Sequence, residues 1–344
     1  MRILLLILLS TTAADAQSWS VQTSGIDTNL RGVSAAFTRD SNGAAVAGVW
    51  ASGSNGVILQ SRDAGKSWKR LHVEGGETLD FRSIQAFDAK TAYVMSSGEG
   101  DKSRIYKTIN AGETWKLQYT DKRAAFFLDA MVCISAMQCY AISDPVDGKF
   151  LLVATEDGKH WQELPRDNMP AALPGEGAFA ASGTCLAIYA KREIYFATGG
   201  PAARVFHSPD LGGTWTVVAT PIASGNASSG NFSITRQGDE VILVGGDYTD
   251  VNRSDRTVAY SLDRGATWTL AASPPRGFRS AVASLDGKTL AAVGPNGEDI
   301  SDDRGAHWTS IGSLDLNALV VLDGRNAWAV GPKGMVARFI ARKN

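Results

Sequence analysis

Cysteine is scarce in this chain: Cys133, Cys139 and Cys185 are the three present in 344 residues. Histidine is almost as rare, and His72, His160, His207 and His307 are scattered. Neither type clusters at metal-ligand spacing, so no metal site is expected. No Cys-x-x-Cys-His occurs to attach a haem, and no Gly-x-Gly-x-x-Gly opens a helix after a strand. No cofactor is therefore expected. An excess of one charge is also missing. The 34 Lys and Arg stand against 35 Asp and Glu, for a net charge of −1. That balance offers no basic field to nucleic acid or to an anionic membrane. Beyond the first residues no apolar run approaches the ~18 residues of a membrane-crossing helix, so no transmembrane anchor is expected.

The first residues read as an export signal. Arg2 supplies a positive start, Ile3 to Leu9 form a short apolar run, and Ala14-Asp15-Ala16 offers a small-x-small cleavage pattern. Residues 1–16 are thus expected to be a signal peptide, and residues 17–344 a single domain that is periplasmic or secreted. In that oxidising setting Cys133 and Cys139 are candidates for a bridge between neighbouring strands of a hairpin. Cys185 is then left as a buried apolar residue.

What is abundant is glycine, at 36 residues, together with 9 tryptophans. Both fall in a repeat. Ser61-Arg-Asp63-Ala-Gly65-Lys-Ser-Trp68 recurs as Thr108-Ile-Asn110-Ala-Gly112-Glu-Thr-Trp115 and as Ser208-Pro-Asp210-Leu-Gly212-Gly-Thr-Trp215. It recurs again as Ser261-Leu-Asp263-Arg-Gly265-Ala-Thr-Trp268 and Ser301-Asp-Asp303-Arg-Gly305-Ala-His-Trp308. Thr155-Glu-Asp157-Gly158-Lys-His-Trp161 is a sixth copy, one residue shorter. A short carboxylate can accept hydrogen bonds from backbone N–H groups ahead of it, and glycine supplies a positive φ. The tryptophan then opens the next strand. This is a turn-building unit, so Asp63, Asn110, Asp157, Asp210, Asp263 and Asp303 are read as structural.

Each copy follows two strand-like runs, such as Ala45 to Trp50 and Gly56 to Gln60, with a further run upstream. With the strand opened by tryptophan, each repeat carries four strands, which is a propeller blade. Ser18-Trp19-Ser-Val-Gln22 looks like a strand that follows such a turn, without its turn. At the other end, Asn326 to Val330 and Gly334 to Arg338 look like two strands that precede one. Letting the N-terminal strand complete the last blade gives an all-β, seven-bladed propeller of four-stranded antiparallel blades with no open edge.

The repeated turns resemble the Asp-boxes of the bacterial neuraminidase (BNR) repeat, found in sialidases and in many propellers that are not sialidases. Over nearly the whole mature chain the sequence resembles the photosystem II assembly and stability factor-like proteins. These exported seven-bladed propellers carry Arg-x-[Val/Ile]-x-x-x-Phe ahead of a glycine-rich strand pair and the box. Here that pattern stands as Arg31-Gly-Val-Ser-Ala-Ala-Phe37 and Arg82-Ser-Ile-Gln-Ala-Phe-Asp88. The resemblance implies the fold; function has to be argued from a site.

In such a blade the box lies on one face, and the loops between blades and between middle strands collect on the other. Arg31, Arg82 and Arg279 start innermost strands and so approach the axis on that second face. The loops there carry Glu99, Asp144, Glu176, Asp247 and Tyr248. These eight residues are the candidate binding set. Arginine forks suit carboxylates, so the expected partner is a protein segment or a carboxylate-bearing small ligand. The expected function is a non-enzymatic binding or assembly scaffold. The alternative is a glycan-binding protein or a BNR-type glycoside hydrolase, a better fit than any oxidoreductase. Sialidase chemistry needs three arginines, a Tyr–Glu nucleophile pair and an acid/base Asp. The Phe/Tyr-Arg-Ile-Pro signature is absent, the nearest matches being Phe81-Arg-Ser and Phe278-Arg-Ser.

Overall fold

The structure, a computed structural model, describes residues 17–39 and 42–341. The expected signal peptide, residues 1–16, lies outside the described residues. Among the described residues, seven four-stranded antiparallel sheets are arranged as the blades of a propeller. The innermost strands of blades 1 to 7 are Leu30–Arg39, Asp80–Ala86, Leu128–Ser135, Leu186–Tyr189, Ser229–Gln237, Ala281–Ser284 and Ala318–Asp323. Each touches the next, and the seventh touches the first, so the ring is closed.

Closure uses the two chain ends. Strand Ser18–Thr23 lies at the outer edge of blade 7, antiparallel to Met335–Ile340, with Ser18 facing Ile340 and Thr23 facing Met335. Trp19 is buried there, edge-on to Phe339 at 5.3 Å between ring centroids. This placement covers the edge of Met335–Ile340 and completes the last blade.

The core is divided by blade interface. Val241 and Leu243 join the apolar cluster between blades 4 and 5, whereas Ile242 and Val244 join the one between blades 5 and 6. Successive side chains on a strand point to opposite faces. A strand covered on both faces is therefore apolar throughout, which is why the second strands read as unbroken apolar runs. The same arrangement continues round the ring, with Trp328 of blade 7 packed among blade 1 residues.

The repeated turns share one hydrogen-bond pattern. Asp63 accepts from the Ser67 backbone N–H at 2.9 Å and from the Ser61 hydroxyl at 2.8 Å. That hydroxyl accepts in turn from the Gly65 N–H at 2.8 Å. Asp263 repeats this with Thr267 at 2.8 Å and Ser261 at 2.7 Å. Gly65 sits at φ +86°, and Ala64 before it is also left-handed at φ +61°. The tight turn thus strains a non-glycine residue too, a cost the carboxylate network offsets. In blade 3, Cys133 and Cys139 face each other across the first hairpin and are disulfide-bonded, while Cys185 is free and buried.

Candidate functional site

On the face opposite the repeated turns, the starts of the innermost strands surround a cavity of about 530 Å³. In four blades the innermost strand skips, near its start, one residue of its pairing with the second strand. The skipped residues are Arg31, Arg82, Asp129 and Phe232. A bulge of this kind re-aims the extra side chain, and all four line the cavity. One backbone device, used in four blades, thus aims two guanidinium groups, a carboxyl and a phenyl ring at the axis.

A segment preceding the short inner strand of blade 4 crosses the axis and floors this mouth. The Ala178 N–H donates to Asp144 of blade 3 at 2.9 Å. The Ala180 carbonyl accepts from Arg31 Nη2 of blade 1 at 3.3 Å and from Arg82 Nη1 of blade 2 at 3.1 Å. Ser182 donates to the Ser280 carbonyl of blade 6 at 2.8 Å, and Thr184 shares a hydrogen bond with Ser233 of blade 5 at 2.7 Å. The mouth is consequently a cup closed at its base. Residues 165–177, whose extra length suggests a lid or a long connection, do not line it; Met169 packs between blades 3 and 4 instead.

The cup has three sides. On the basic side, Arg82 Nε is paired with Asp80 at 2.7 Å, and Arg31 Nε is buried without a hydrogen-bond partner. Burial first, and then the neighbouring Arg82 charge, lowers the Arg31 guanidinium to about 10. Two cations converging on one carbonyl leave positive charge to be matched. On the acidic side, Asp129 is 1% exposed and its Oδ2 has no partner. Burial and the neighbouring Asp144 push Asp129 well above the usual carboxylate range, and burial raises Asp144 to about 6. The third side is aromatic. Phe179 stacks on Phe232 at 3.9 Å, Phe278 lies edge-on to Phe232 at 4.6 Å, and Tyr248 stands edge-on to both Phe179 and Phe232.

Of the eight residues expected at the site, Arg31, Arg82, Asp144 and Tyr248 line the cup. The other four do not. Arg279 is 0% exposed and turned away, with Nε on Asp299 at 2.7 Å and Nη1 on the Phe278 carbonyl at 2.8 Å. It precedes the innermost strand of its blade, Ala281–Ser284, whose pairing has no bulge, and Phe278 and Ser280 face the cup in its place. Glu176 is buried in an ion pair with Arg204 and accepts from Thr198 at 2.6 Å. Asp247 is held by Asn226 at 2.9 Å and by the Thr249 hydroxyl at 2.7 Å, which depresses its carboxyl. Glu99 is exposed on the turn entering the short helical segment Gly100–Lys102. Asp129 and the Phe179–Phe232 wall escape the sequence reading. Aligning Leu128-Asp129-Ala130 with Leu30-Arg31-Gly32 and Phe81-Arg82-Ser83 reveals the first: each has an apolar, a charged and a small residue at one strand start. Among the described residues no group of His, Cys, Asp and Glu is placed to hold a metal ion.

Fold and cup together define a seven-bladed propeller with a floored axial mouth of mixed charge. The chain belongs to the DUF6242 β-propeller domain family, whose sequence model matches residues 13–287. No curated protein matches it. Among solved structures, it is similar in fold to YCF48 bound to D1 peptide, at a TM-score of 0.68 and 15% identity, covering 95% of this chain and 98% of that one. It is similar also to YCF48 from Cyanidioschyzon merolae, with a TM-score of 0.67, 13% identity and coverage of 94% and 99%. The extracellular domain of the putative one component system BT4673 from B. thetaiotaomicron matches at a TM-score of 0.62 and 14% identity, over 96% of this chain and 40% of that one. At these identities the likeness is one of fold.

Proposed function

We propose that this propeller is an exported binding scaffold that takes a protein segment in its axial cup and serves the assembly of a larger complex. The observation that carries the reading is the arginine pair. Arg31 and Arg82 converge on one carbonyl, Arg31 Nε lacks a partner, and an aromatic wall stands across the cup. A carboxylate of a peptide would pair the guanidinium groups, and apolar side chains would cover the rings. A cup of about 530 Å³ has the size of sites that hold a few residues. A propeller of the same fold, YCF48, has been solved with a D1 peptide bound, which supports a peptide as the kind of occupant. The cup lining contains no Glu to pair with Tyr248, which weighs against the glycosidase alternative.

The test is retention of a random hexapeptide pool on immobilised protein, with sialosides and acidic sugars run in parallel. The expected outcome is peptide retention that falls at least about tenfold in the Arg31→Ala, Arg82→Ala double variant, given the cost of losing a charge-assisted pair. Retention of acidic sugars alone would overturn the peptide reading. Equal peptide retention by a double variant that still unfolds cooperatively would move the site elsewhere.

A further inference from the structure

The basic and aromatic sides of the cup account for a peptide carboxylate and apolar side chains. They leave its acidic side without a role. Asp129 is the feature that most needs one. A fully buried carboxyl costs stability unless something pairs with it. Asp129 carries an oxygen with no hydrogen-bond partner, and the neighbouring cation, Arg82, directs its hydrogen bonds to Asp80 and the Ala180 carbonyl. A second carboxylate, Asp144, lies close enough to raise Asp129 further and accepts only the Ala178 N–H, on Oδ1. A purely structural acid would be expected to have a cationic partner, as Asp299 has Arg279 and Glu176 has Arg204. Asp129 stands at the same bulge that presents Arg31 and Arg82. Although buried, it lines the cup as they do. Beside it, the partly exposed rings of Phe127 and Phe179 line the same space, and aromatic faces attract cations.

We propose that Asp129 and Asp144, with the adjoining Phe127 and Phe179, form a subsite for an organic cation, the guanidinium or ammonium group of an Arg or Lys side chain in the captured segment. The proposal deepens the peptide-scaffold reading and rests on it for the source of the cation. The cup then selects a segment by charge at two places, an anion at blades 1 and 2 and a cation at blade 3. Two opposite charges in one cup fix direction as well as affinity, because a reversed segment would place like charges together.

The first measurement needs no variant. Butylguanidinium and its neutral, equally shaped counterpart butylurea are titrated into the protein, with ligand-observed NMR as readout. Butylguanidinium is expected to bind at least about tenfold more tightly. The Asp129→Asn, Asp144→Asn variant should lose that preference to within about twofold, with its unfolding temperature showing that it remains folded. Equal binding of the two probes, binding of neither, or a preference that survives the double substitution would overturn the subsite. The hexapeptide pool separates this failure from failure of the scaffold reading. Peptides retained with no enrichment in Lys or Arg would sink the cation subsite and leave the scaffold. A butylguanidinium preference with no peptide retained would do the reverse.

Discussion

At the residue scale, two carboxylates with opposite surroundings make opposite predictions. Asp263 accepts from Thr267 and Ser261, and these bonds lower its carboxyl from an ordinary 3.8 to about 2. The stability it contributes is therefore present above pH 3.8 and is lost as pH falls towards 2. Asp263→Ala should lower stability by about 1 kcal/mol, or roughly 2 °C in thermal unfolding, and leave peptide retention unchanged. An unchanged unfolding temperature would contradict the structural role of this turn. Asp144 behaves in the other sense. Its folded-state value is raised to about 6 by burial. Between 3.8 and 6 the folded chain holds a proton that the unfolded chain releases, so stability falls as pH rises across that window. Asp144→Asn keeps an acceptor for the Ala178 N–H and removes this penalty. It should be more stable than wild type at pH 7, on the order of 1 to 3 kcal/mol, with the difference vanishing below about pH 4. Thermal unfolding at the two pH values checks the sign.

At the scale of elements, the turns and the cup floor differ in how far they can be read from sequence. Each turn is legible because its partners lie within four residues, as Ser61, Asp63, Gly65 and Ser67 do. The cup is only half legible because its partners come from other blades. Nothing near Arg279 announces that Asp299, twenty residues on, will bury it. Nothing near Glu176 points to Arg204. The crossing segment is hidden for the same reason. Its anchors lie in blades 1, 2, 3, 5 and 6, and apart from Phe179 its own residues, Ala178 to Thr184, are small. That dependence yields a prediction. Replacing Arg31 and Arg82 by Ala removes both donors to the Ala180 carbonyl. Amide hydrogen exchange between residues 178 and 184 should quicken, and exchange at the repeated turns should not change. Uniform exchange in the two proteins would show that the floor is held by other contacts.

At the scale of the whole molecule, stability hangs on a closed ring. The closure is visible in the sequence as a lone Trp19 strand at one end and two partnerless strands at the other. The structure joins them through the pairing of Ser18–Thr23 with Met335–Ile340. Trp19→Ala would empty a buried site against Phe339 and should cost about 3 kcal/mol. Removing residues 17–23 would bare the Met335–Ile340 edge and should yield aggregating protein, measurable by light scattering. Closure also explains how the cup is built. Because every blade is fixed by two neighbours, a bulge at the start of one inner strand is held in register with those of the others, and side chains from separate blades meet with little freedom to relax. A rigid ring with a variable lining is well suited to present a binding site.

The measurement that tests this account most directly is a hydrogen-exchange footprint of the protein with its retained hexapeptides bound. Protection is predicted at the starts of the innermost strands, around Arg31, Arg82 and Asp129, and along residues 178–184. Protection confined to the repeated turns on the opposite face, with the cup unchanged, would contradict it.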